Sequence, residues 1–174
     1  MNISVSLLEK QHFPVMLDEV IKICNLSKKN QLVIDCTFGG GGYSKALLKF
    51  PNVKVIALDR DKSAIKRAEI LKNKSLNQFE FYNEKFSNLD KVINAETKAD
   101  VIIFDLGLST LQLKDYSRGF SFKSNDKIDM QMGLSDISAQ EVINTLDENN
   151  LKLVIKILGE EREANKIVKN IIKA

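Results

Sequence analysis

The sequence predicts an α/β domain built on a parallel β-sheet, and three observations carry that prediction. Apolar runs that end in an acid recur: Val33-Ile34-Asp35, Val53 to Leu58 followed by Asp59, and Val101 to Phe104 followed by Asp105. Segments with helical spacing lie between them. Four consecutive glycines, Gly39 to Gly42, follow the first run and lead into a helix-like segment. Strands alternating with helices form parallel sheets with right-handed crossovers. Ligands of such sheets bind beyond the carboxyl ends of the strands. Asp35, Asp59 and Asp105 are therefore expected to line one cleft.

The elements follow in order. Pro14 can open a helix, and Leu17, Val20, Ile21 and Cys24 recur at i, i+3, i+4 and i+7, giving it one apolar face. Leu32 to Asp35 reads as a buried strand, Ser44 to Phe50 as a short helix and Val53 to Leu58 as a second strand. Asp61 is placed to cap a helix carrying Ala64, Ala68 and Leu71. Phe79 to Tyr82 reads as a third strand, Leu89, Val92 and Ile93 as a short helix, and Val101 to Phe104 as a fourth strand. Residues 108 to 136 read as loop. Ser138 and Glu141 have capping-box spacing. Leu151, Val154, Ile155 and Leu158 mark a helix that Gly159 can terminate. Ala164, Ile167, Val168, Ile171 and Ile172 mark a last helix. The strands thus give way to an all-helical end.

The glycine loop and the acids bound the ligand chemistry. Glycine lets backbone approach a ligand without an intervening Cβ. An acid ending the second strand, twenty positions after Gly39, can accept hydrogen bonds from ribose hydroxyls. A pyrophosphate needs free N–H groups and disfavours the carboxylate of Asp35 just ahead of the loop. S-adenosylmethionine (AdoMet) has no phosphate and carries an ammonium and a sulfonium, so an acid at the end of the first strand suits it. The competing readings are an NAD(P)-dependent oxidoreductase and a tight glycine turn with no ligand.

Composition sets wider limits. The chain of 174 residues, 44% hydrophobic and 28% charged, is that of a globular domain with at most a small appendage. No apolar run approaches the ~20 residues of a membrane span. No basic segment followed by an apolar stretch opens the chain, so no signal peptide is expected. Cys24 and Cys36 read as buried thiols of a reducing cytoplasm, and a single histidine argues against zinc. A net charge of +3 permits nucleic acid binding without requiring it.

A longer set of motifs occurs in order: Gln11-His12-Phe13-Pro14-Val15-Met16-Leu17, Asp35-Cys36-Thr37-Phe38 with the four glycines, and Ala57-Leu58-Asp59-Arg60-Asp61. Phe104-Asp105-Leu106-Gly107-Leu108-Ser109, Gln112-Leu113, Arg118-Gly119-Phe120-Ser121-Phe122, Ile128-Asp129-Met130-Gln131-Met132 and Gly159-Glu160-Glu161-Arg162 follow. From about Gln11 onward the chain resembles the bacterial RsmH (MraW) family, small-subunit ribosomal RNA cytosine-N4 methyltransferases. The resemblance implies a class I AdoMet-dependent, Rossmann-like methyltransferase fold over residues 1–114. Residues 115–174 would begin an inserted helical domain that recognises RNA. It implies AdoMet as cofactor and a cytidine of 16S ribosomal RNA, within the small ribosomal subunit, as substrate. By motif position Gly41, Gly42 and Tyr43 would contact the cofactor, Asp59 would hold its ribose, Phe86 would lie beside the adenine, and Asp105 and Gln112 would complete the site. Phe86 and Gln112 rest on the resemblance alone.

The cytosine amine is a poor nucleophile, so catalysis consists mainly of aligning N4, methyl carbon and sulfur. Asp105, or a carbonyl of the Leu106-to-Ser109 loop, could accept hydrogen bonds from the amine; cofactor contact is the alternative role for Asp105. The chain departs from the family at Tyr43, where histidine is common, at Ser109-Thr110-Leu111-Gln112 in place of Ser-Ser-Pro-Gln, and at Gln131, where arginine is usual. The family pattern also continues beyond this sequence. A four-stranded piece would expose an apolar sheet edge. Poor stability, self-association as a homodimer or loss of turnover is then expected, and a non-catalytic RNA-binding module is the third reading.

The remaining residues have plainer readings. His12 is expected to be structural, and Met130 and Met132 to pack. Lys166, Lys169 and Lys173 form a solvated face or an RNA phosphate contact. Phe120 and Phe122 either pack under the loop or stack on a base.

Overall fold

The computed structural model describes residues 14–26, 30–75, 77–135 and 137–173; His12 lies outside the described residues. The chain divides into two compact units. The first runs to Asp115 and regains Met132–Leu134; the second takes Tyr116–Gln131 and the residues from Ser135 on.

The first unit holds α1 (Leu17–Ile23), β1 (Gln31–Asp35), α2 (Gly42–Leu47), β2 (Val53–Leu58), α3 (Ser63–Lys74), β3 (Phe79–Tyr82), α4 (Leu89–Val92), β4 (Val101–Ile103) and α5 (Thr110–Lys114). The four strands form one parallel sheet in the order β3-β2-β1-β4. Val33 pairs with Val55, and Asp35 lies opposite Ala57 on one side and Ile103 on the other, so the three strand ends are in register. This is the α/β, Rossmann-like architecture expected from the sequence.

Alternation along the strands serves two cores. Val33, Val55, Ala57, Phe79 and Ile103 face a layer in which Leu47, Ala64, Ala68 and Leu71 are buried, joined by Leu17, Val20 and Ile21 of α1. Ile34, Cys36, Ile56 and Leu58 face the opposite way, against Leu89, Val92 and Ile93. Cys24 and Cys36 are free and buried. Burial pushes both thiols up, Cys36 to about 11 with help from the charge of Asp35.

The second layer stops short of β4. Ile34 is 3% exposed, whereas Ile102, beside it in register, is 47% exposed. Among the described residues no strand pairs with the far edge of β4. The apolar edge expected from the sequence is thus present.

Two local expectations require correction. Residues 108–136 are not all loop, because α5 forms with Ser109 as its N-cap: the Gln112 N–H donates to Ser109 Oγ and the Ser109 N–H donates back to Gln112 Oε1. The signal was the Ser-x-x-Gln spacing itself. The helix marked by Leu151 to Leu158 is also not uniform. In the second unit, α7 (Glu148–Leu153) widens into a π-helical turn over Val154–Leu158. Gly159 follows at ordinary helical φ, and a Cβ there would sit 2.6 Å from the Ile155 carbonyl oxygen. It ends the turn by lacking a side chain, and the left-handed residue is Glu160.

The second unit also contains α6 (Ala139–Thr145), opened by the expected Ser138–Glu141 capping box, and α8 (Ala164–Lys173). α8 buries Ala164 and Val168, but Ile167 and Ile172 are exposed, as are Lys166, Lys169 and Lys173. Phe122 is fully exposed, which rules out its packing under the loop. Phe120 lies beneath the Arg118 guanidinium, 5.4 Å from ring centroid to Cζ. No helix among the described residues is long and apolar enough to cross a membrane.

Candidate cofactor cavity

Register places the ends of β1, β2 and β4 together, and a cavity of about 590 Å³ opens there. Its wall includes Pro14, Val15, Thr37, Gly39, Gly42, Tyr43, Asp59, Arg60, Asp61, Arg67, Lys85, Phe86, Asp105 through Thr110, Gln112 and Met132. The size falls within the ~300–1,000 Å³ typical of small-molecule sites.

The glycine loop is built around Asp59. The Gly39 N–H donates to Asp59 Oδ2 at 2.6 Å, and the Asp61 N–H donates to Asp59 Oδ1 at 2.8 Å. The Gly39 carbonyl accepts from Arg67 Nε at 3.1 Å. The Gly41 N–H turns back to the Phe38 carbonyl at 2.6 Å. Burial pushes the Asp59 carboxyl up, and these two N–H bonds pull the other way. Burial likewise lowers Arg67, opposed by the charges of Asp61 and Asp59.

The glycines are required for packing as much as for a ligand. Gly41 sits at φ +75°, and a Cβ there would lie 2.8 Å from the Phe38 ring. Gly41 is not part of the cavity wall, unlike Gly42. A Cβ on Gly42 would lie 2.2 Å from Pro14 Cγ. Its neighbour Tyr43 is buried and donates its hydroxyl to the Val15 carbonyl. Burial and the charges of Asp105 and Asp35 push that hydroxyl up. Gly42→Ala is expected to cost about 1–3 kcal/mol through overpacking, read as a lowered urea midpoint. An unchanged midpoint would mean that the Pro14–Val15 segment moves aside without cost.

Asp35 does not line the cavity, contrary to the expectation for all three strand-end acids. It is 0% exposed and faces inward, accepting the Ser44 hydroxyl at 2.7 Å and the Thr37 N–H at 3.2 Å. Burial pushes its carboxyl up to about 6, with smaller upward contributions from Asp59 and Asp105. Asp105 is in the wall, and its N–H donates to Thr37 Oγ1 at 2.8 Å. Phe86 stands half-exposed at the rim, edge-on to Phe104 with ring centroids 5.4 Å apart.

Asp61 was expected to cap α3 and does accept the Ser63 N–H at 3.0 Å, although Lys62 takes the cap position itself. Its other oxygen accepts from Gln112 Nε2 at 2.8 Å. The sequence reading missed Arg67 and Met132 as wall residues. Met132 reaches the wall because Gly133 and Leu134 lie against Arg60. The Leu134 N–H donates to the Arg60 carbonyl at 3.1 Å, and Arg60 Nη2 donates to the Leu134 carbonyl at 3.2 Å. Gly133, at φ +94°, leaves no room for a Cβ, which would fall 2.0 Å from the Arg60 carbonyl oxygen. Glycine at such a contact was the available signal.

Comparison with known proteins now bears on this cavity. The ribosomal RNA small subunit methyltransferase H of Rickettsia bellii (strain OSU 85-389) is 41% identical over 166 residues, covering 95% of this chain and 54% of its own length. That of Orientia tsutsugamushi (strain Boryong) is 39% identical over 163 residues, covering 94% and 52%. The chain thus spans about half the length of the curated relatives it matches. A solved structure from Clostridium thermocellum, named only provisionally as an rRNA-methylase, shares 22% identity at a TM-score of 0.41, over 53% of this chain and 55% of that one. The sequence profile of the MraW methylase family matches residues 9–174, which takes in the glycine loop, all three strand-end acids and the Gln112 helix. With that span and those identities, the chain belongs to the MraW methylase family.

Proposed function

We propose that this cavity binds AdoMet and that the chain carries the cofactor half of an enzyme methylating N4 of a cytidine in small-subunit ribosomal RNA. The observation that carries the cofactor assignment is the state of the glycine loop. Two of its N–H groups are committed internally, Gly39 to Asp59 and Gly41 to Phe38. A pyrophosphate would need such groups free, whereas a phosphate-free cofactor needs the carboxylate they orient. The names and identities of the Rickettsia and Orientia relatives support methylation of small-subunit ribosomal RNA, and the family resemblance of the motifs supplies the cytidine N4.

When bound, AdoMet supplies a methyl group on an electrophilic sulfonium. The residues do the rest. Asp59, held by two N–H groups, retains lone pairs for ribose hydroxyls. Phe86 and Val15 offer apolar surface to the adenine. Gly42 and Tyr43 shape the wall beside the methionine portion, and Gly41 sets the turn that precedes them. Asp105 and the carbonyls of Leu106 to Ser109 accept hydrogen bonds from the target amine. Gln112 holds that loop. In the second unit, exposed Phe122 and Lys166, Lys169 and Lys173 are suited to RNA bases and phosphates.

Calorimetric titration of the purified chain with AdoMet, with NAD as competitor, tests the cofactor. Binding that NAD does not displace is expected, and methyl transfer to small ribosomal subunits is the following assay. NAD binding in its place overturns the reading. Asp105→Asn separates two roles: lost transfer with intact AdoMet affinity assigns Asp105 to the amine, and lost affinity assigns it to the cofactor.

A further inference from the structure

Asp61 is a buried carboxylate outside the residues assigned to cofactor or substrate. It is 6% exposed, and its partner Gln112 is 8% exposed. A continuous set of bonds runs through the pair. Asp61 Oδ1 accepts the Ser63 N–H, Asp61 Oδ2 accepts Gln112 Nε2, and Gln112 Oε1 accepts the Ser109 N–H. The same Asp61 gives its own N–H to Asp59. Two cavity walls 51 positions apart in sequence are thereby tied together: the end of β2 and the loop after β4.

That loop needs a tie. Gly107 sits at φ +140° with open space where a Cβ would lie, and Leu106 and Leu108 are exposed. α5 has only five residues, far below the ~12–15 at which an isolated helix holds itself. The Asp105 N–H bond to Thr37 fixes one end of the loop. Gln112 fixes the other through Ser109, and its side-chain amide is in turn held by a charged acceptor in a buried place, where such a bond is strong.

We propose that Asp61 is a positioning residue for methyl transfer: through Gln112 it holds the Leu106–Ser109 loop where the acceptor amine must dock. The proposal rests on the reading of the cavity as a methyl-transfer site. Misplacement of a reacting group by about 1 Å can cost ~100-fold in rate, so a loose loop costs turnover without costing cofactor affinity.

Three variants of the full chain test it: Asp61→Asn, Gln112→Glu and the double exchange. Either single change breaks the run of bonds at one point: asparagine at 61 has one acceptor oxygen for the two donors Ser63 N–H and Gln112 Nε2, and glutamate at 112 faces the Asp61 carboxylate. The double exchange restores the run of bonds from Ser63 to Ser109, with only the one between 61 and 112 reversed in polarity. The introduced asparagine amide donates to the introduced glutamate, its oxygen still accepts the Ser63 N–H, and the glutamate still accepts the Ser109 N–H. Amide hydrogen exchange at Ser109 is expected to quicken about tenfold or more in each single variant, as loss of one such bond implies, and to return near the wild-type rate in the double. Methyl transfer by Asp61→Asn should fall by about 10- to 100-fold while its AdoMet affinity changes little; Gln112 stands in the expected cofactor site, so the two variants at 112 are read by Ser109 exchange. Unchanged Ser109 exchange in the singles, or no recovery in the double, overturns the proposal. So does a parallel loss of AdoMet affinity and transfer in Asp61→Asn, which would make Asp61 part of the cofactor site. A wild-type chain that binds no AdoMet sinks the underlying reading of the cavity, and Ser109 exchange then still decides whether the tie exists.

Discussion

Asp59→Ala is expected to abolish AdoMet binding and to destabilise the first unit at the same time. The carboxylate accepts from Gly39 and Asp61, and each bond to a charged acceptor contributes about 1.5–3 kcal/mol. Relief of the carboxylate's own burial, which pushes its pKa up, offsets part of that loss. A net destabilisation of about 2–4 kcal/mol follows, with Gly39 freed from β2. Loss of two ribose hydrogen bonds to a charged acceptor corresponds to at least ~100-fold in affinity. Calorimetry on protein verified as folded by circular dichroism reads the affinity, and urea unfolding reads the stability. Affinity within tenfold of wild type would remove Asp59 from the cofactor site. An unchanged midpoint would mean that the glycine loop keeps its form without Asp59.

Asp35→Asn is expected to raise stability at neutral pH and to erase a pH dependence. The folded-state carboxyl lies near 6 against an ordinary 3.8. The folded protein therefore holds this proton more tightly than the unfolded chain. Its contribution to stability is greatest below about pH 4, declines as pH rises from about 4 to 6, and is level above that. At about 1.4 kcal/mol per pH unit, the decline reaches up to about 3 kcal/mol. Asparagine keeps an acceptor for the Thr37 N–H and can donate to Ser44 Oγ, with no charge to bury. The stability difference between variant and wild type should therefore grow in the variant's favour from pH 4 to pH 6, as measured by urea unfolding at several pH values. A constant difference would mean that Asp35 titrates normally. A positively charged cofactor in the adjacent cavity favours the ionised acid. Wild-type affinity for AdoMet should therefore weaken as pH falls through 6, and more steeply than that of Asp35→Asn, in which only Asp59 is left to titrate upward of its ordinary range.

The sheet was legible because buried parallel strands are written as short apolar runs, and three of the four, β1, β2 and β4, lead into an acid. Asp59 and Asp105 were legible as wall residues for the same reason. The direction of Asp35 was not, because a strand-end side chain points to cavity or core according to partners such as Ser44, nine residues away. The glycines were read as room for a ligand, yet Gly42 answers to Pro14 and Gly41 to Phe38. Contacts between distant segments leave no periodic mark. The Ser109–Gln112 capping box was written in plain spacing and went unread because the residues around it look like loop. The tie between Asp61 and Gln112, and the return of Met132 to Leu134 onto Arg60, required the fold itself.

That return has a consequence for how the molecule is made. The bonds between Arg60 and Leu134 close a loop of 74 residues, whereas β1 and β2 pair across a single short crossover. Closing a longer loop costs more chain entropy, and contacts of high sequence separation form late. During synthesis the sheet and its glycine loop can assemble before residue 134 has left the ribosome, but the wall bearing Met132 cannot. The cavity is thus the last part of the first unit to become complete. A chain cut after residue 120 would hold the sheet with an open cofactor site.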